Sequence, residues 1–79
     1  MIVTKSDVET CLENMVEYFG DDPEAEGSVI VVLEGGYADV WRDGDVTQHG
    51  RVVFNCIEEA EELELEIPSQ IQCLLAAVK

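Results

Sequence analysis

The sequence predicts one α+β domain in which a three-stranded antiparallel sheet carries helices on one face, in the order αβββαα. Two observations lead to this prediction. Apolar residues recur at helical spacing near both ends of the chain, whereas the middle contains β-branched and aromatic runs separated by glycine-containing turns. Because the chain has 79 residues, of which 47% are hydrophobic, we expect residues 1–79 to form a single small core.

The first predicted element is an amphipathic helix over residues 6–19. Ser6 and Glu9 have the S-x-x-E spacing of a capping box, in which each side chain accepts a hydrogen bond from the other residue's backbone N–H. Gly20 supplies the C-terminal stop. The apolar residues that share one face of this helix are Val8, Cys11, Leu12, Met15, Val16 and Phe19.

Two strands are expected after an acidic loop. Residues 28–34 are β-branched and apolar on both faces, which predicts a central strand that is covered on both sides. Gly35 and Gly36 are typical of a two-residue hairpin turn. Residues 37–42 then form the second strand, so the two strands pair in an antiparallel hairpin.

The third strand ends at residues 52–54, after a second turn signal at residues 43–44. Its beginning is less sharply marked, because Gly50 interrupts the segment. A glycine at such a place is typical of a β-bulge. We therefore expect one strand with an irregular start, which completes a three-stranded meander.

Two helices are predicted in the C-terminal third. Asn55 caps the first of them, with Glu58 at the third helical position, and the helix runs to about residue 65. The alternation of residues 63–67 would also fit a strand, so that segment has two interpretations. Pro68 begins the last helix. The apolar face of the last helix consists of Ile71, Leu74, Leu75 and Val78.

Net charge is the strongest compositional signal. The chain contains 18 acidic and four basic residues, which give a net charge of −14. Binding to nucleic-acid phosphates or to an anionic membrane surface requires Lys and Arg, so this composition excludes both. Three explanations compete for the excess of acid: a halophilic cytoplasm, general solubility, or a basic protein partner. Glu outnumbers Asp by twelve to six and three cysteines are present, which disfavours the halophilic explanation.

The cysteines and the first residues predict a soluble protein of the cytoplasm. Cys11, Cys56 and Cys73 are odd in number and widely spaced, which is typical of free, mostly buried thiols rather than of a disulfide framework. Lys5 follows closely on the N-terminus, which predicts no signal peptide. The longest apolar run, residues 29–33, is far shorter than the roughly 20 residues that cross a bilayer.

No catalytic constellation is recognisable. His49 is the only histidine and lies in the turn-like sequence Thr-Gln-His-Gly, and neither a nucleophile motif nor a phosphate-binding loop occurs. Asp43 and Asp45 form a carboxylate pair, but a surface turn cannot supply the burial that separates two pKa values for acid–base chemistry. The sequence therefore predicts no catalytic residues, no cofactor and no enzymatic activity.

Metal binding is not predicted either. No Cys or His residues lie at the spacing of zinc ligands. Residues 22–27 place acids at positions 1, 3 and 5 and glycine at position 6, as a calcium-binding EF-hand loop does. Position 12 of that pattern is Leu33, however, and Glu34 comes one residue too late. An ordinary acidic loop is the better interpretation.

The second strand carries a candidate interface. Ala38 and Val40 point to one side of the sheet, whereas Tyr37, Asp39 and Trp41 point to the other. If the first pair faces the helices, the only Trp and one of the two Tyr residues lie on the open face beside acids. Aromatic residues in such surroundings are typical anchors of protein interfaces. The alternative is that Trp41 packs against the third strand or a terminal segment.

The acidic residues cluster in two runs. One comprises a ladder at spacing i, i+4 on the first helix, beginning at Glu9, together with the following loop. The other has six carboxylates in nine residues, from Glu58 to Glu66, and covers most of the helix circumference. Either run could simply be a solvated face. The candidate partner-binding residues are Glu13, Glu17, Asp21, Asp22, Glu24, Glu26, Tyr37, Asp39, Trp41, Asp43, Asp45, Glu58, Glu59, Glu61 and Glu62.

Two resemblances bear on function. The order α-β-β-β-α over about residues 6–66 resembles the topology of double-stranded-RNA-binding domains. That family has basic residues at the start of its second helix, where this sequence has glutamates, so RNA binding does not follow. Small size, acidity and the lack of catalytic motifs resemble, as a class, small phage-encoded inhibitors of host defence, which include antirestriction and anti-CRISPR proteins. Those proteins present carboxylates where nucleic-acid phosphates would lie.

We therefore predict an acidic, non-catalytic inhibitor or adaptor that docks on a basic, nucleic-acid-binding surface of a partner protein in the cytoplasm, that of the host cell if the protein is phage-encoded. Its carboxylates would steer association, with Tyr37 and Trp41 as anchors. One alternative is a halophilic or acid-rich housekeeping domain without a specific partner. Another is a homodimer formed through an exposed sheet edge or the last helix.

Overall fold

The protein is described by a computed structural model that covers residues 2–22 and 24–77. Within these residues the chain forms three helices and four strands, and the α+β prediction is confirmed. The elements in chain order are α1 Lys5–Phe19, β1 Ser28–Leu33, β2 Gly36–Trp41, β3 Asp45–Gln48, β4 Arg51–Asn55, α2 Cys56–Glu62 and α3 Ser69–Ala77. The four strands form an antiparallel meander in the order β1-β2-β3-β4.

The prediction of three strands was wrong, because a hairpin divides the third one. Gln48 pairs with Arg51, and the turn between them contains His49 and Gly50 at φ of 56° and 77°. Two consecutive residues at positive φ are what a type I′ turn requires, and this turn matches the twist of the flanking strands. Gly50 is thus a turn residue rather than a bulge. The register shift lies instead between the pairs Val46–Phe54 and Thr47–Val52, which leaves Val53 of β4 without a partner in the register.

The position predicted for β1 was also wrong. A meander places its first strand at the sheet edge, so β1 pairs only with β2 and is not central. Its turn consists of Glu34 and Gly35, and Gly36 is already the first residue of β2. Val31 and Leu33 face the core, whereas Ile30 and Val32 are each 65% exposed. The apolar residues on both faces therefore do not indicate burial on both faces.

Helix α1 begins one residue earlier than predicted, with a different capping box. The Thr4 hydroxyl accepts a hydrogen bond from the Asp7 N–H at 3.1 Å, and the Asp7 carboxylate accepts from the Thr4 N–H at 3.3 Å. The same carboxylate accepts from the Glu34 N–H at 3.3 Å. The Asp7 carboxylate thus accepts from backbone N–H groups at the helix N-terminus and at the β1–β2 turn. These hydrogen bonds compensate for the burial of its charge. Gly20 is the C-cap, as predicted.

Helices α1 and α2 pack on the same face of the sheet and α3 packs against α1, so that the three helices close one hydrophobic core. Alternate residues of each strand point into this core, and α1 crosses β1 and β2 while α2 covers β3 and β4. Ala38 and Val40 face the helices, as predicted. The largest fully buried side chains are Phe19, Met15, Ile71, Val8, Val31, Val40, Val46, Cys11 and Cys56.

Helix α2 begins as predicted but ends earlier. The Asn55 side chain accepts from the N–H groups of Ile57 and Glu58 at 3.0 and 3.1 Å. At the other end, the Leu65 N–H donates to the Ala60 carbonyl and the Glu64 N–H donates to the Glu61 carbonyl, which is a Schellman motif. Residues 65–68 are neither helix nor strand. Helix α3 begins at Ser69, one residue after the predicted start at Pro68, and the Pro68 carbonyl accepts hydrogen bonds from the N–H groups of Ile71 and Gln72. Val78 of the predicted apolar face lies outside the described residues.

We expect the substitution Glu64→Gly to stabilise the protein by about 1 kcal/mol. Glu64 has a φ of 57° at the position where the Schellman motif favours glycine, and a non-glycine residue there is strained by roughly 1–2 kcal/mol. Urea denaturation at pH 7 measures the gain as a higher midpoint. Glu64→Gln is the matched control, because it removes the same charge and keeps the strain. Equal midpoints for the two variants would contradict this account.

Candidate protein-binding surfaces

The two layers of the fold carry two chemically different surfaces. We call the first the helical acidic surface. Its exposed carboxylates, on α1, α2 and the segment between α2 and α3, belong to Glu9, Glu13, Glu17, Glu58, Glu61, Glu62, Glu64 and Glu66. We call the second the outer sheet face. It consists of side chains directed away from the helices, namely Ser28, Ile30, Val32, Tyr37, Asp39, Trp41, Asp45, Thr47 and Val52.

The helical acidic surface joins the two acidic runs of the sequence. Glu9, Glu13 and Glu17 occupy the solvent side of α1, and Glu66 lies in the segment that leads to α3. Because α1 packs against α3, these four side chains line one open groove of about 470 Å³. The apolar part of the groove is formed by Leu12, Val16 and Pro68. A groove with an apolar floor and carboxylates on its walls favours a ligand that is both basic and apolar.

The carboxylates of α2 continue this surface. Cys56, Ile57 and Ala60 form the buried side of this short helix, and glutamates occupy the remainder of its circumference. The run was predicted to continue along the helix, but α2 ends at Glu62, so Glu64 and Glu66 lie beyond it. Glu58 and Glu59 in the first turn are favourably placed near the positive end of the helix dipole. Among the described residues of the three helices and the α2–α3 segment there are ten acids and one base, Lys5. The surface therefore attracts cations from solution.

The acidic loop between α1 and β1 extends the α1 ladder. All four of its predicted site residues (Asp21, Asp22, Glu24 and Glu26) are exposed. The Asp22 carboxylate accepts from the Glu24 N–H at 3.0 Å, and the Tyr18 hydroxyl donates to the Glu26 carbonyl at 3.2 Å. Asp21 and Glu17 line the same open hollow next to β1. The loop thus places further carboxylates beside the sheet edge.

The aromatic candidates lie on the outer sheet face, away from the helical acidic surface. Tyr37 is 71% exposed and Trp41 is 40% exposed, so both side chains are accessible, as predicted. The Trp41 indole N–H donates to the Thr47 hydroxyl at 2.9 Å, which fixes the ring against β3. Trp41 therefore both contacts the neighbouring strand and remains accessible. The aromatic pair and the α1 ladder therefore lie on opposite sides of the sheet.

The three remaining candidate acids make hydrogen bonds within the protein. Asp39 accepts from the Ser28 hydroxyl at 3.1 Å, Asp43 accepts from the Asp45 N–H at 3.1 Å, and Asp45 accepts from the Asn55 amide at 2.9 Å. Asp43 and Asp45 also line an open hollow that contains Trp41. The Asp39 bond links β1 to β2, and the bonds of Asp43 and Asp45 hold the β2–β3 turn in shape, so all three acids have a structural role whether or not they contact a partner.

Sequence reasoning missed three exposed apolar residues of the outer sheet face. Ile30 and Val32 are 65% exposed and Val52 is 55% exposed. The signal was present in the apolar residues on both faces of β1, which we interpreted as a covered strand. The same pattern also fits an edge strand with an apolar outer face, and β1 is such a strand.

The three thiols have different environments. Cys11 and Cys56 are buried free cysteines, as predicted, whereas Cys73 on α3 is exposed. Burial raises the pKa of Cys11 to about 12, with a smaller contribution from the charge of Asp7. Burial raises the pKa of Cys56 to about 12 as well, and its thiol donates to the Met15 sulfur at 3.5 Å. Neither buried thiol provides a thiolate near neutral pH.

We expect one fast-reacting thiol in the folded protein. At pH 8 a disulfide reagent such as DTNB should modify Cys73 within minutes, because nucleophilic attack requires an accessible thiolate. Cys11 and Cys56 should react only on unfolding, so that denaturant raises the count from one thiol to three. Cys73→Ser is the control and should abolish the fast phase. A second fast thiol in the native protein would contradict the described core.

The described residues show neither a metal-ion site nor a membrane-spanning helix. No group of three or more His, Cys, Asp or Glu side chains is arranged there to hold a metal ion. None of the helices described is long and apolar enough to cross a membrane. Comparison with known proteins found no family model, no curated protein and no solved structure that matches this chain.

Proposed function

We propose that this protein is an acidic, non-catalytic binding protein that docks its helical acidic surface on a basic surface of another protein. The partner surface is the one with which that protein binds nucleic acid, so the complex is inhibitory. The groove between α1 and α3 carries this proposal. It combines an apolar floor with carboxylates from two separate runs of the sequence, which matches the apolar core and polar rim of protein interfaces.

The distribution of charge supports binding rather than general solubility. Solubility needs charge spread over the surface, with both signs mixed. Here ten acids and one base lie in the described helical layer, and Glu9, Glu13, Glu17 and Glu66 share one groove. Like charges held this close repel one another and destabilise the folded chain. A basic partner relieves this repulsion, so the same charges that reduce stability increase affinity.

Affinity purification from the natural host tests this function. The full chain is immobilised and incubated with a host extract at 50 mM salt, and bound proteins are eluted in steps to 500 mM. We expect a nucleic-acid-binding protein to elute well below 500 mM. The reason is that the Debye length falls from about 14 Å to about 4 Å over this range, which screens the attraction between exposed charges.

Two results would contradict the proposal. Retention that does not change with salt would exclude an electrostatic interface. Recovery of no basic protein would favour the acid-rich housekeeping domain instead, particularly if molar KCl markedly raises the free energy of unfolding. A mock column that carries a protein of similar net charge but unrelated fold controls for simple ion exchange.

A further inference from the structure

The outer sheet face has an apolar end and an acidic end. Val32 and Tyr37 are cross-strand neighbours at the apolar end, next to the β1–β2 turn. Trp41 lies four residues further along β2, which is about 13 Å at about 3.3 Å per residue. Asp43 lies in the turn that follows, and Asp45 begins β3. The face therefore combines an apolar contact area with an aromatic ring and carboxylates at a fixed separation.

At the acidic end, Trp41 lines an open hollow of about 500 Å³. Its indole N–H donates to the Thr47 hydroxyl at 2.9 Å, so the ring has a fixed orientation while it remains accessible. Gly27 and Gly50 also line the hollow, and no heavy atom lies within 4 Å of the position that a Cβ atom of either would take. The space beside the ring is therefore open to a ligand.

The charges around this hollow favour a cation. Asp43 and Asp45 line it, and Asp39 lies on the same face two residues before the indole. Each carboxylate has about four acceptor sites, so it can accept bonds beyond those that it makes within the protein. Arg42 lines the hollow too, but it also lines a second hollow in the helical layer, on the other side of the sheet. Three carboxylates and one guanidinium leave an excess of negative charge beside the ring.

The size of the outer sheet face fits a short segment better than a folded partner. Four strands about 4.8 Å apart and six residues of about 3.3 Å each give at most about 19 by 20 Å, which is about half of the roughly 800 Å² per partner of a standard interface. An extended segment of five or six residues spans the same length, and its alternate side chains point to one side. Such a segment reaches from the hollow at Trp41 to Val32 and Tyr37.

We propose that the outer sheet face binds a short extended segment of another protein, in which an arginine is followed by apolar residues at alternate positions. The guanidinium stacks on the Trp41 ring and pairs with Asp43 and Asp45. Arginine suits this place because its planar cation stacks on aromatic faces and forms paired hydrogen bonds with carboxylates. The apolar side chains contact Val32 and Tyr37. This site lies apart from the helical acidic surface, so it does not depend on the function proposed above.

NMR titration of the ¹⁵N-labelled full chain with the blocked peptide acetyl-Arg-Thr-Leu-Thr-Leu-amide tests this proposal. Trp41 is the only Trp of the chain, so its indole N–H gives a single cross-peak that reports on the hollow. We expect this cross-peak and the amides of β1 and β2 to shift as peptide is added, while the amides of α1 stay unchanged. An indole cross-peak that does not move up to about 10 mM peptide, or shifts confined to α1, would overturn the proposal.

The same peptide with citrulline in place of arginine tests the charge. Citrulline has nearly the shape of arginine but is neutral, so it keeps the apolar contacts and loses both the cation–π attraction and the ion pairs. We expect its dissociation constant to be at least 5-fold higher. Equal constants for the two peptides would mean that the face does not select a cation, which contradicts the proposal.

The double variant Asp43→Asn, Asp45→Asn locates the cation. The amide oxygens of the new side chains can still accept from the backbone N–H of residue 45 and from the Asn55 amide, so the β2–β3 turn is kept. We expect the arginine peptide to bind about 5-fold more weakly and the citrulline peptide to bind unchanged.

Glu13→Gln, Glu17→Gln is the matched control for this double variant. Both double variants take the net charge from −14 to −12, since two negative charges are lost. The control changes the helical acidic surface and should bind the arginine peptide within about 2-fold of the unmodified chain, because distant exposed charges are screened. An equal loss in both variants would show that net charge alone attracts the peptide, and the proposed site would be wrong.

Discussion

Gly44→Ala is expected to destabilise the protein by about 3 kcal/mol, because a new side chain would be both strained and overpacked. Gly44 has a φ of 93°, and a Cβ atom there would lie 2.6 Å from Ile57 Cγ1 and 3.0 Å from Asn55 Oδ1. The Gly44 carbonyl also accepts from the Cys56 N–H at 2.8 Å, so the turn cannot move away without losing the start of α2. For a chain of this length the loss corresponds to a fall in melting temperature of roughly 12–24 °C.

Gly27→Ala is the matched control for this effect. Gly27 also has a positive φ, 85°, but no heavy atom lies within 4 Å of the position of its Cβ. It should therefore cost only the backbone strain, about 1 kcal/mol. Thermal unfolding followed by circular dichroism separates the two contributions. If both variants lose the same free energy of unfolding, the close contact between the β2–β3 turn and α2 does not contribute to the cost of a side chain at Gly44.

The second large effect concerns binding. We expect the triple variant Glu13→Gln, Glu17→Gln, Glu66→Gln to bind the captured partner about 10- to 100-fold more weakly at 50 mM salt, mainly through a slower association rate. All three carboxylates lie on the groove between α1 and α3, so their loss removes most of its charge. The change takes the net charge from −14 to −11, since three negative charges are lost. Surface plasmon resonance gives both rates.

A second triple variant has the same net charge and tests location. Glu24→Gln, Glu26→Gln and Glu34→Gln also give −11, but these residues lie in the acidic loop and at the β1–β2 turn, and none of them lines the groove. Less than about a 5-fold loss of affinity is expected, because distant rim charges contribute little once screened. Equal losses for the two triple variants would mean that only net charge matters and that no docking surface exists.

The elements that were predicted correctly are those whose signals are local. The apolar spacing of α1 and the Asn55 cap of α2 each depend on a few adjacent residues. The end of α2 was predicted too late because Glu64 occupies a position that glycine usually marks. The sequence does not predict the hairpin that divides the third strand, because His49, rather than Asn or Gly, occupies the first position of its type I′ turn. In both cases an unusual residue in the left-handed region hid a common motif.

The sequence predicts individual candidate residues but not how they combine into surfaces. Glu13 and Glu17 are among the predicted partner-binding residues, whereas Glu9 and Glu66 of the same groove are not. The meeting of Glu66 with the α1 ladder depends on how α3 packs against α1. No local pattern encodes that contact. The separation of Tyr37 and Trp41 from the groove likewise follows from the two-layer arrangement. The sequence therefore suggested one composite interface, where the structure presents two opposite faces.

We propose that this protein and nucleic acid compete for the same surface of the partner. Competition between them is therefore the most direct test of this proposal. The captured partner is bound to a fluorescently labelled nucleic acid at 100 mM salt, and this protein is added while fluorescence anisotropy is followed. We expect stoichiometric release of the nucleic acid, with the groove triple variant at least 10-fold less potent. A stable ternary complex of unchanged or higher anisotropy would contradict the claim.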